Sequence, residues 1–330
     1  MTISTSASST AREWADLYWI VPGTVACLAF IATVRDPFAL DILVTTLLWE
    51  AAASAWNLSG GYAGQLSIGH AAYFGIGAYT STYLLLTYGL SPWIGMLIGA
   101  ALAALTALGI GALTVRLRGS FFVMATLAFG AIAHIVAAIW RSVTGGSNGL
   151  SIPFEPSFAR MVFADKQSFA ILALALLLIV VGTVLLIERS KLGASLVAYR
   201  EDDAAARALG VRTLRARLIA IMISALFTGI CGTLHAQYTL YIDPDSVTGL
   251  SFSLQVALIC IVGGVGTLSG PILGAALIIP LASLLRGALS SSGSGLHLVV
   301  YAVMVIMVLL ALPEGIGPSL MRRVRAARGK

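Results

Sequence analysis

Charged residues are scarce in this chain. They make up 10% of its 330 residues, whereas 58% are hydrophobic, and the mean hydropathy is +0.95. Soluble domains carry about 25% charged residues. The scarcity excludes a water-soluble globular protein, so the unit of architecture to look for is the membrane-spanning helix of about 20 residues.

Reactive and metal-ligating groups are also sparse. The three cysteines, Cys27, Cys231 and Cys260, lie in apolar stretches, which excludes a disulfide framework and a cysteine metal site. The four histidines fall in four different stretches, and the reactive groups expected at membrane depth show no His-x-x-x-His, Cys-x-x-Cys or Asp/Glu pair at ligand spacing. The sequence also lacks the phosphate loop Gly-x-x-x-x-Gly-Lys-[Ser/Thr]. We therefore expect no metal, ATP or cofactor site in this chain.

Long apolar runs are abundant instead, and many are rich in small residues, as in 99–109. Glycine and alanine allow the close helix packing that holds membrane bundles together. The first 16 residues are rich in Ser and Thr, and the run after them lacks an Ala-x-Ala cleavage site, so we expect that run to be retained as a span. The sequence predicts an all-α, polytopic membrane bundle of about ten helices, forming a single domain over 1–330. The ten runs are 17–34, 38–58, 71–88, 92–115, 120–140, 168–187, 218–237, 249–265, 271–286 and 296–312.

The basic residues predict the orientation of the bundle, because Lys and Arg concentrate on the cytoplasmic side. With the N-terminus inside, the inner segments hold fifteen Lys and Arg, including Arg12, Arg116, Arg118 and the tail 322–330, and the outer segments hold five. Ten spans with both termini in the cytoplasm fit this division.

A glycine-rich, partly polar segment, 60–75, separates the second and third runs. Non-helical backbone at membrane depth is tolerated where it is buried in protein or lines a watery cavity, so this segment predicts a path across the bilayer. The candidates in it are Gly60, Gly61, Gly64, Gln65, Ser67 and His70. For His70 the alternative is a structural bond to a neighbouring helix.

Two further features add candidates to this path. Glu50 lies in the middle of a run, where a carboxylate has to face protein or water; a structural partner and a transport role are equal alternatives for it. A faint repeat relates 60–67 to 263–269, which adds Gly263 and Gly264. Such repeats often mark transporter sites, although chance similarity or a re-entrant segment are alternatives.

Two loops carry polar groups. In the inner loop 188–217, residues 194–209 lack Gly and Pro, and Gly210 follows, so we expect one short cytoplasmic helix that stops at this glycine. On the outer side, Asp243 and Asp245 flank Pro244. These acids form either a solvated turn or a docking site for a soluble partner.

Four segments together resemble branched-chain amino-acid ABC transporter permeases of the LivM type. They are 60–79, 144–150, 200–210 and 263–275, which follow one another in the family's order. The related urea permeases tend to carry Thr-Gly-Leu-Leu-Ser where this chain has Ala-Gly-Gln-Leu-Ser at 63–67, which favours amino acids as cargo.

The resemblance implies a type II importer fold in a bacterial inner membrane and no enzymatic activity in this chain. It implies a second, LivH-like permease, two ATPase subunits that hold ATP and Mg, and a periplasmic binding protein that would dock at Asp243 and Asp245. The loop 188–217 would then couple to an ATPase through Tyr199, Arg200, Glu201, Asp202, Asp203, Arg207 and Gly210.

Three other readings stay open at this point. A channel or proton-driven carrier working alone would use Glu50 as a proton site. An intramembrane enzyme would need scattered polar residues to converge. An importer of the same class could carry urea, other amides or other amino acids.

Overall fold

The chain is described by a computed structural model that covers residues 21–114, 117, 119–289, 296–312 and 315–319. The expected cytoplasmic charges at Arg12, Arg116, Arg118 and 322–330 lie outside these residues, as do both termini. The orientation of the termini therefore stays a prediction.

Helices occupy all ten of the apolar runs, which confirms the all-α class. Seven of the described helical segments are long and apolar enough to cross a membrane, and α1 and α14 are shorter apolar helices. The helices are α1 (Val21–Thr33), α2 (Pro37–Asn57), α3 (His70–Tyr88), α4 (Pro92–Leu113), α5 (Ser120–Ile139), α6 (Arg141–Thr144), α7 (Lys166–Glu188), α8 (Lys191–Glu201), α9 (Asp203–Ala208), α10 (Thr213–Thr239), α11 (Pro244–Thr248), α12 (Leu250–Gly263), α13 (Gly270–Leu289) and α14 (Leu296–Ala311).

A two-stranded ribbon, which the sequence had not predicted, joins two of the loops that are expected on the outer side. Strands β1 (Leu150–Ser151) and β2 (Tyr241–Ile242) are antiparallel, with Leu150 opposite Ile242. The ribbon attaches the long loop after α5 to the end of α10.

The centre of the bundle is formed by α3, α4 and α10, and small residues bring their backbones into contact. A Cβ added to Gly77 would lie 1.9 Å from the carbonyl oxygen of Gly229, and one added to Gly232 would lie 2.0 Å from that of Phe74. The Thr233 hydroxyl donates a hydrogen bond to the Gly77 carbonyl at 3.0 Å. Helix α2 packs against α7, α10 and α13 on another side of the core.

The loop 188–217 contains two helices, so the expected single helix over 194–209 is wrong. The break falls at Asp202, whose backbone is extended and whose carboxylate accepts hydrogen bonds from the N–H groups of Ala204 and Ala205. This is N-cap geometry, and it starts α9 anew. The predicted stop is confirmed, because Gly210 follows α9 with φ +82°.

The glycine-rich segment also differs from the expectation at its start. The end of α2 continues as a π-helical turn, Leu58–Tyr62, so Gly60 and Gly61 are helical and irregular backbone begins at Ala63. The N–H of Ala63 donates to the carbonyl of Leu58 at 3.4 Å, which is the wider spacing of a π-helix. Helix α3 then starts at His70.

The backbone contact at Gly77 makes a stability prediction. In Gly77→Ala the new methyl group would press on the α10 backbone, and we expect a destabilisation of about 1–3 kcal/mol, typical of overpacking. Thermal unfolding of the purified protein in detergent measures it. Gly182→Ala in α7 is the matched control, since nothing lies within 4 Å of its added Cβ. Equal melting temperatures for the two variants would contradict the packing described here.

Candidate functional site

The two segments of the faint repeat lie against each other. We call 60–67 the first glycine turn and 263–269 the second glycine turn. A Cβ added to Gly61 would lie 2.5 Å from the backbone nitrogen of Gly266. The Asn57 side chain joins the two turns, because its amide nitrogen donates to the Thr267 carbonyl and its oxygen accepts from the Gly266 N–H, both at 2.9 Å. Both turns are therefore at the same end of the bundle.

Helix α8 lies over this contact through Arg200. Its Nη1 donates a hydrogen bond to the Gly61 carbonyl at 3.2 Å. Two glycines flank the arginine. Gly64 and Gly266 have φ of +62° and +74°, which favours glycine, and an added Cβ would lie 2.9 Å from Cγ and 2.8 Å from Nη1 of Arg200, respectively. We call Asn57, Gly61, Gly64, Arg200 and Gly266 the Arg200 cluster.

A second contact between α8 and the first glycine turn runs through Arg217 of α10. The guanidinium carbon of this buried arginine lies 4.5 Å from the centre of the Tyr199 ring. With the Gln65 amide oriented so that its oxygen faces Arg217, that oxygen accepts hydrogen bonds from Nη2 at 2.5 Å and Nε at 2.7 Å. Tyr199, Arg217 and Gln65 thus form a continuous chain of contacts.

Sequence reasoning missed Asn57 and Arg217. The signal for Asn57 was an amide at the end of an apolar run, directly before the glycines. The signal for Arg217 was a cation at the entrance to a span, which had been counted as one of the inner charges. The roles of Asn57 and Arg217 in the site depend on contacts with residues more than a hundred positions away or in another helix.

Ser67 and His70 belong to a buried polar network. The Trp56 indole nitrogen donates to the Ser67 carbonyl at 2.7 Å. His70 has Nδ1 at 3.1 Å from the Ser67 hydroxyl and Nε2 at 2.9 Å from the Ser224 hydroxyl of α10. The imidazole is fully buried, so it ties α3 to α10. A role of His70 in lining a path stays a prediction.

The remaining path candidates lie beside this network in different ways. Gly60 packs under the Trp56 ring. Gly263 lies where α12 meets α13, and a Cβ added to it would lie 1.7 Å from the Gly270 carbonyl oxygen. Gly264 has φ +121° and ends α12. Glu50 is buried in α2, two helical turns and about 10 Å before Asn57, and it takes part in none of the hydrogen bonds described for the Arg200 cluster.

The predicted coupling residues divide into buried and exposed groups. The Asp203 carboxylate is buried and accepts hydrogen bonds from Arg207 Nε at 2.9 Å and from the Thr213 hydroxyl at 2.8 Å. These bonds attach α9 to the start of α10. Glu201, Asp202 and Gly210 are exposed, and so is Leu209, a residue that sequence reasoning missed.

Leu209 has an exposed fraction of 85%. Neighbouring Arg207 and Arg212 are exposed as well. The surface of α8 and α9 therefore combines one prominent apolar side chain with charges of both signs.

Asp243 and Asp245 lie at the other end of α10, whose 27 residues span about 40 Å. Asp243 caps α11 in a capping box with Ser246. The side chain of Asp245 is 90% exposed and lies 3.6 Å from His134 Nε2. The structure thus gives Asp243 a capping role and leaves Asp245 accessible.

The comparison with known families agrees with this architecture. The family described as branched-chain amino acid transport system / permease component matches residues 38–309. No solved structure matches the chain.

Individual relatives have related names. LivM, the high-affinity branched-chain amino acid transport system permease protein of Escherichia coli K12, is 31% identical over 75% of this chain and 63% of its own length. The probable LivH permease protein of Methanocaldococcus jannaschii is 26% identical over 73% of this chain and 79% of LivH. The guanosine ABC transporter permease protein NupQ of Bacillus subtilis is 29% identical over 67% of this chain and 75% of NupQ.

The chain spans less than two thirds of the length of LivM, while the family match covers most of the chain. The matched range 38–309 includes every member of the Arg200 cluster, both glycine turns, α8 and α9. The chain belongs to the family of permease components of branched-chain amino acid transport systems.

Proposed function

We propose that the chain is a permease subunit of an ABC importer that moves branched-chain amino acids from the periplasm to the cytoplasm across a bacterial inner membrane. The observation that carries the proposal is the family match over 38–309, together with a loop helix, α8, that contacts the glycine turns through Arg200. Chemistry on this chain is not part of the proposal, since its relatives are permease proteins.

Four partners complete the transporter in this proposal. A second, LivH-like permease packs beside this chain, two cytoplasmic ATPases hold ATP and Mg, and a periplasmic binding protein delivers the cargo. Both termini of this chain face the cytoplasm. The loop 188–217 docks on one ATPase, with α8 and α9 as its helices.

Transport would follow alternating access. A loaded binding protein docks on the outer side, ATP closes the ATPase dimer, and the two permeases rock about their interface. A zwitterion with an aliphatic side chain passes toward the cytoplasm. The glycine turns lie at the inner end of the path, where little affinity is needed because tight binding would hinder release.

The cargo is assigned from the family and from the LivM relatives. NupQ, a relative of similar identity, is named for guanosine, so a nucleoside is the second candidate. The two cargoes differ in size and polarity, and uptake measurements separate them.

Reconstitution tests the proposed function. We expect proteoliposomes that contain this chain, its partner permease and both ATPases to accumulate leucine only when ATP and the binding protein are both supplied. Guanosine and urea are the comparison cargoes. Uptake by this chain alone, driven by a proton gradient, would contradict the proposal and would favour a carrier that uses Glu50.

Leu209 predicts where the ATPase docks. Burial of one leucine side chain contributes about 2 kcal/mol, so we expect Leu209→Asp to weaken ATPase binding at least about tenfold, measured by titrating detergent-solubilised permease with ATPase. Leu209→Met preserves the apolar contact and should bind nearly as well as the natural chain.

Leu90→Asp is the control for a general effect of the new charge, because Leu90 is exposed in the loop after α3. Weakening by Leu90→Asp as great as that by Leu209→Asp would argue against docking at Leu209.

The outer acids predict where the binding protein docks. Asn is as good an N-cap as Asp, so Asp243→Asn combined with Asp245→Asn removes two charges and preserves the capping of α11. We expect the binding-protein concentration for half-maximal stimulation of ATP hydrolysis to rise several-fold at low salt, because charge complementarity governs association.

Asp165→Asn is the matched control, since Asp165 caps α7 by accepting a hydrogen bond from the Ser168 N–H. An unchanged half-maximal concentration in the double variant, or an equal rise in the control, would remove these two acids from the docking surface.

A further inference from the structure

Arg200 lies where three separate segments meet. Its stem packs against Gly64 of the first glycine turn, and its guanidinium contacts Gly61 of the same turn and Gly266 of the second. These two turns are about 200 positions apart in the chain. A single side chain of α8 therefore touches both halves of the repeat.

The geometry is specific to this arginine. The absence of side chains at Gly64 and Gly266 leaves the room that its stem and guanidinium occupy, because a Cβ at either position would press on it. A guanidinium hydrogen bond to a backbone carbonyl is charge-assisted and stronger than a neutral one. The bond to Gly61 acts on main chain, so movement of α8 is passed directly to the backbone of the turn.

The solvent-facing side of Arg200 adds a second constraint. Its Nη2 lies 3.3 Å from the carboxylate of Glu201, which is exposed on the surface proposed to meet the ATPase. The arginine thus connects that surface with the interior of the bundle. The Tyr199–Arg217–Gln65 contacts form a second connection, which joins α8 to the first glycine turn and not to the second.

We propose that Arg200 is a positioning residue for transport: it holds the two glycine turns to α8, so that displacement of α8 by the ATPase moves both turns together. The inference rests on the proposed function for the identity of the driving partner. It goes further in assigning to one side chain, and to the glycines that make room for it, the link between ATP hydrolysis and the inner end of the bundle.

The experiment compares variants in the reconstituted complex with both permeases, both ATPases and the binding protein. Arg200→Ala removes the contact, and Arg200→Lys retains a donor for the Gly61 carbonyl. Gly266→Ala displaces the guanidinium while leaving every charge in place. Gly89→Ala is the matched control, because Gly89 has φ +65° with nothing within 4 Å of an added Cβ, so it carries the same backbone strain without the arginine contact.

Two readouts separate coupling from docking and from simple misfolding. The first is the number of leucine molecules taken up per ATP hydrolysed, measured alongside ATPase co-purification and thermal stability. The second is the rate of maleimide reaction at Leu66→Cys, an exposed site in the first glycine turn, in a background without Cys27, Cys231 and Cys260, with and without ATP.

We expect Arg200→Ala and Gly266→Ala to lower uptake per ATP about tenfold, the effect of losing one charge-assisted hydrogen bond, and to abolish the ATP-dependent change in the maleimide rate. Their ATPase co-purification stays normal. Arg200→Lys restores part of both readouts, and Gly89→Ala behaves as the natural chain.

Normal uptake per ATP and a normal maleimide response in Arg200→Ala would overturn the proposal, as would loss of ATPase co-purification, which would make Arg200 a docking residue. Absence of leucine uptake by the natural complex would contradict the proposed cargo. The maleimide response to ATP would still decide the role of Arg200 in that case.

Discussion

The backbones of the two glycine turns touch at Gly61 and Gly266, and the Asn57 amide fastens them together with two hydrogen bonds. Polar backbone inside a membrane protein needs internal partners, since lipid offers none. Asn57 supplies them for the Gly266 N–H and the Thr267 carbonyl, in the turn between α12 and α13. This contact brings together the backbone on which Arg200 rests.

The close approach of the turns creates the surface on which α8 rests. Arg200 fits against Gly64 and Gly266 because both lack side chains, and it donates a hydrogen bond to the Gly61 carbonyl. Deeper in the bundle, His70 and Ser224 join α3 to α10 at 2.9 Å, so the end of the first turn is attached to the helix that begins beside α9. Helix α8 is thereby connected to α2, α3 and α10 through hydrogen bonds and packed side chains.

The sequence was sufficient to predict the all-α class and the ten helical runs, whereas it left chance similarity open as an explanation for the two glycine segments. The class and the helical runs depend on local composition: apolar runs of about 20 residues and glycines that interrupt them. The end of the loop helix at Gly210 was also predictable from local sequence, because glycine commonly follows a helix in a left-handed backbone conformation.

Other features were beyond the sequence because distant contacts or competing local signals decide them. Helix propensity over 194–209 favoured one helix, yet the capping of Ala204 and Ala205 by Asp202 splits it. The structural use of Asp203 depends on Thr213, and the importance of Arg217 depends on Tyr199 and Gln65. The exposed fraction of Leu209 likewise follows from how α9 meets α10.

The central claim is that α8 and the first glycine turn move as one body when ATP binds. Pulsed electron paramagnetic resonance tests it most directly, with spin labels at Ala194 and Leu66 in the assembled transporter and a reference pair at Ala194 and Leu90. The account predicts that the distance from Ala194 to Leu66 is the same with and without ATP, while that from Ala194 to Leu90 changes. A change in the first distance on ATP binding would show that α8 moves independently of the turn and would contradict the account.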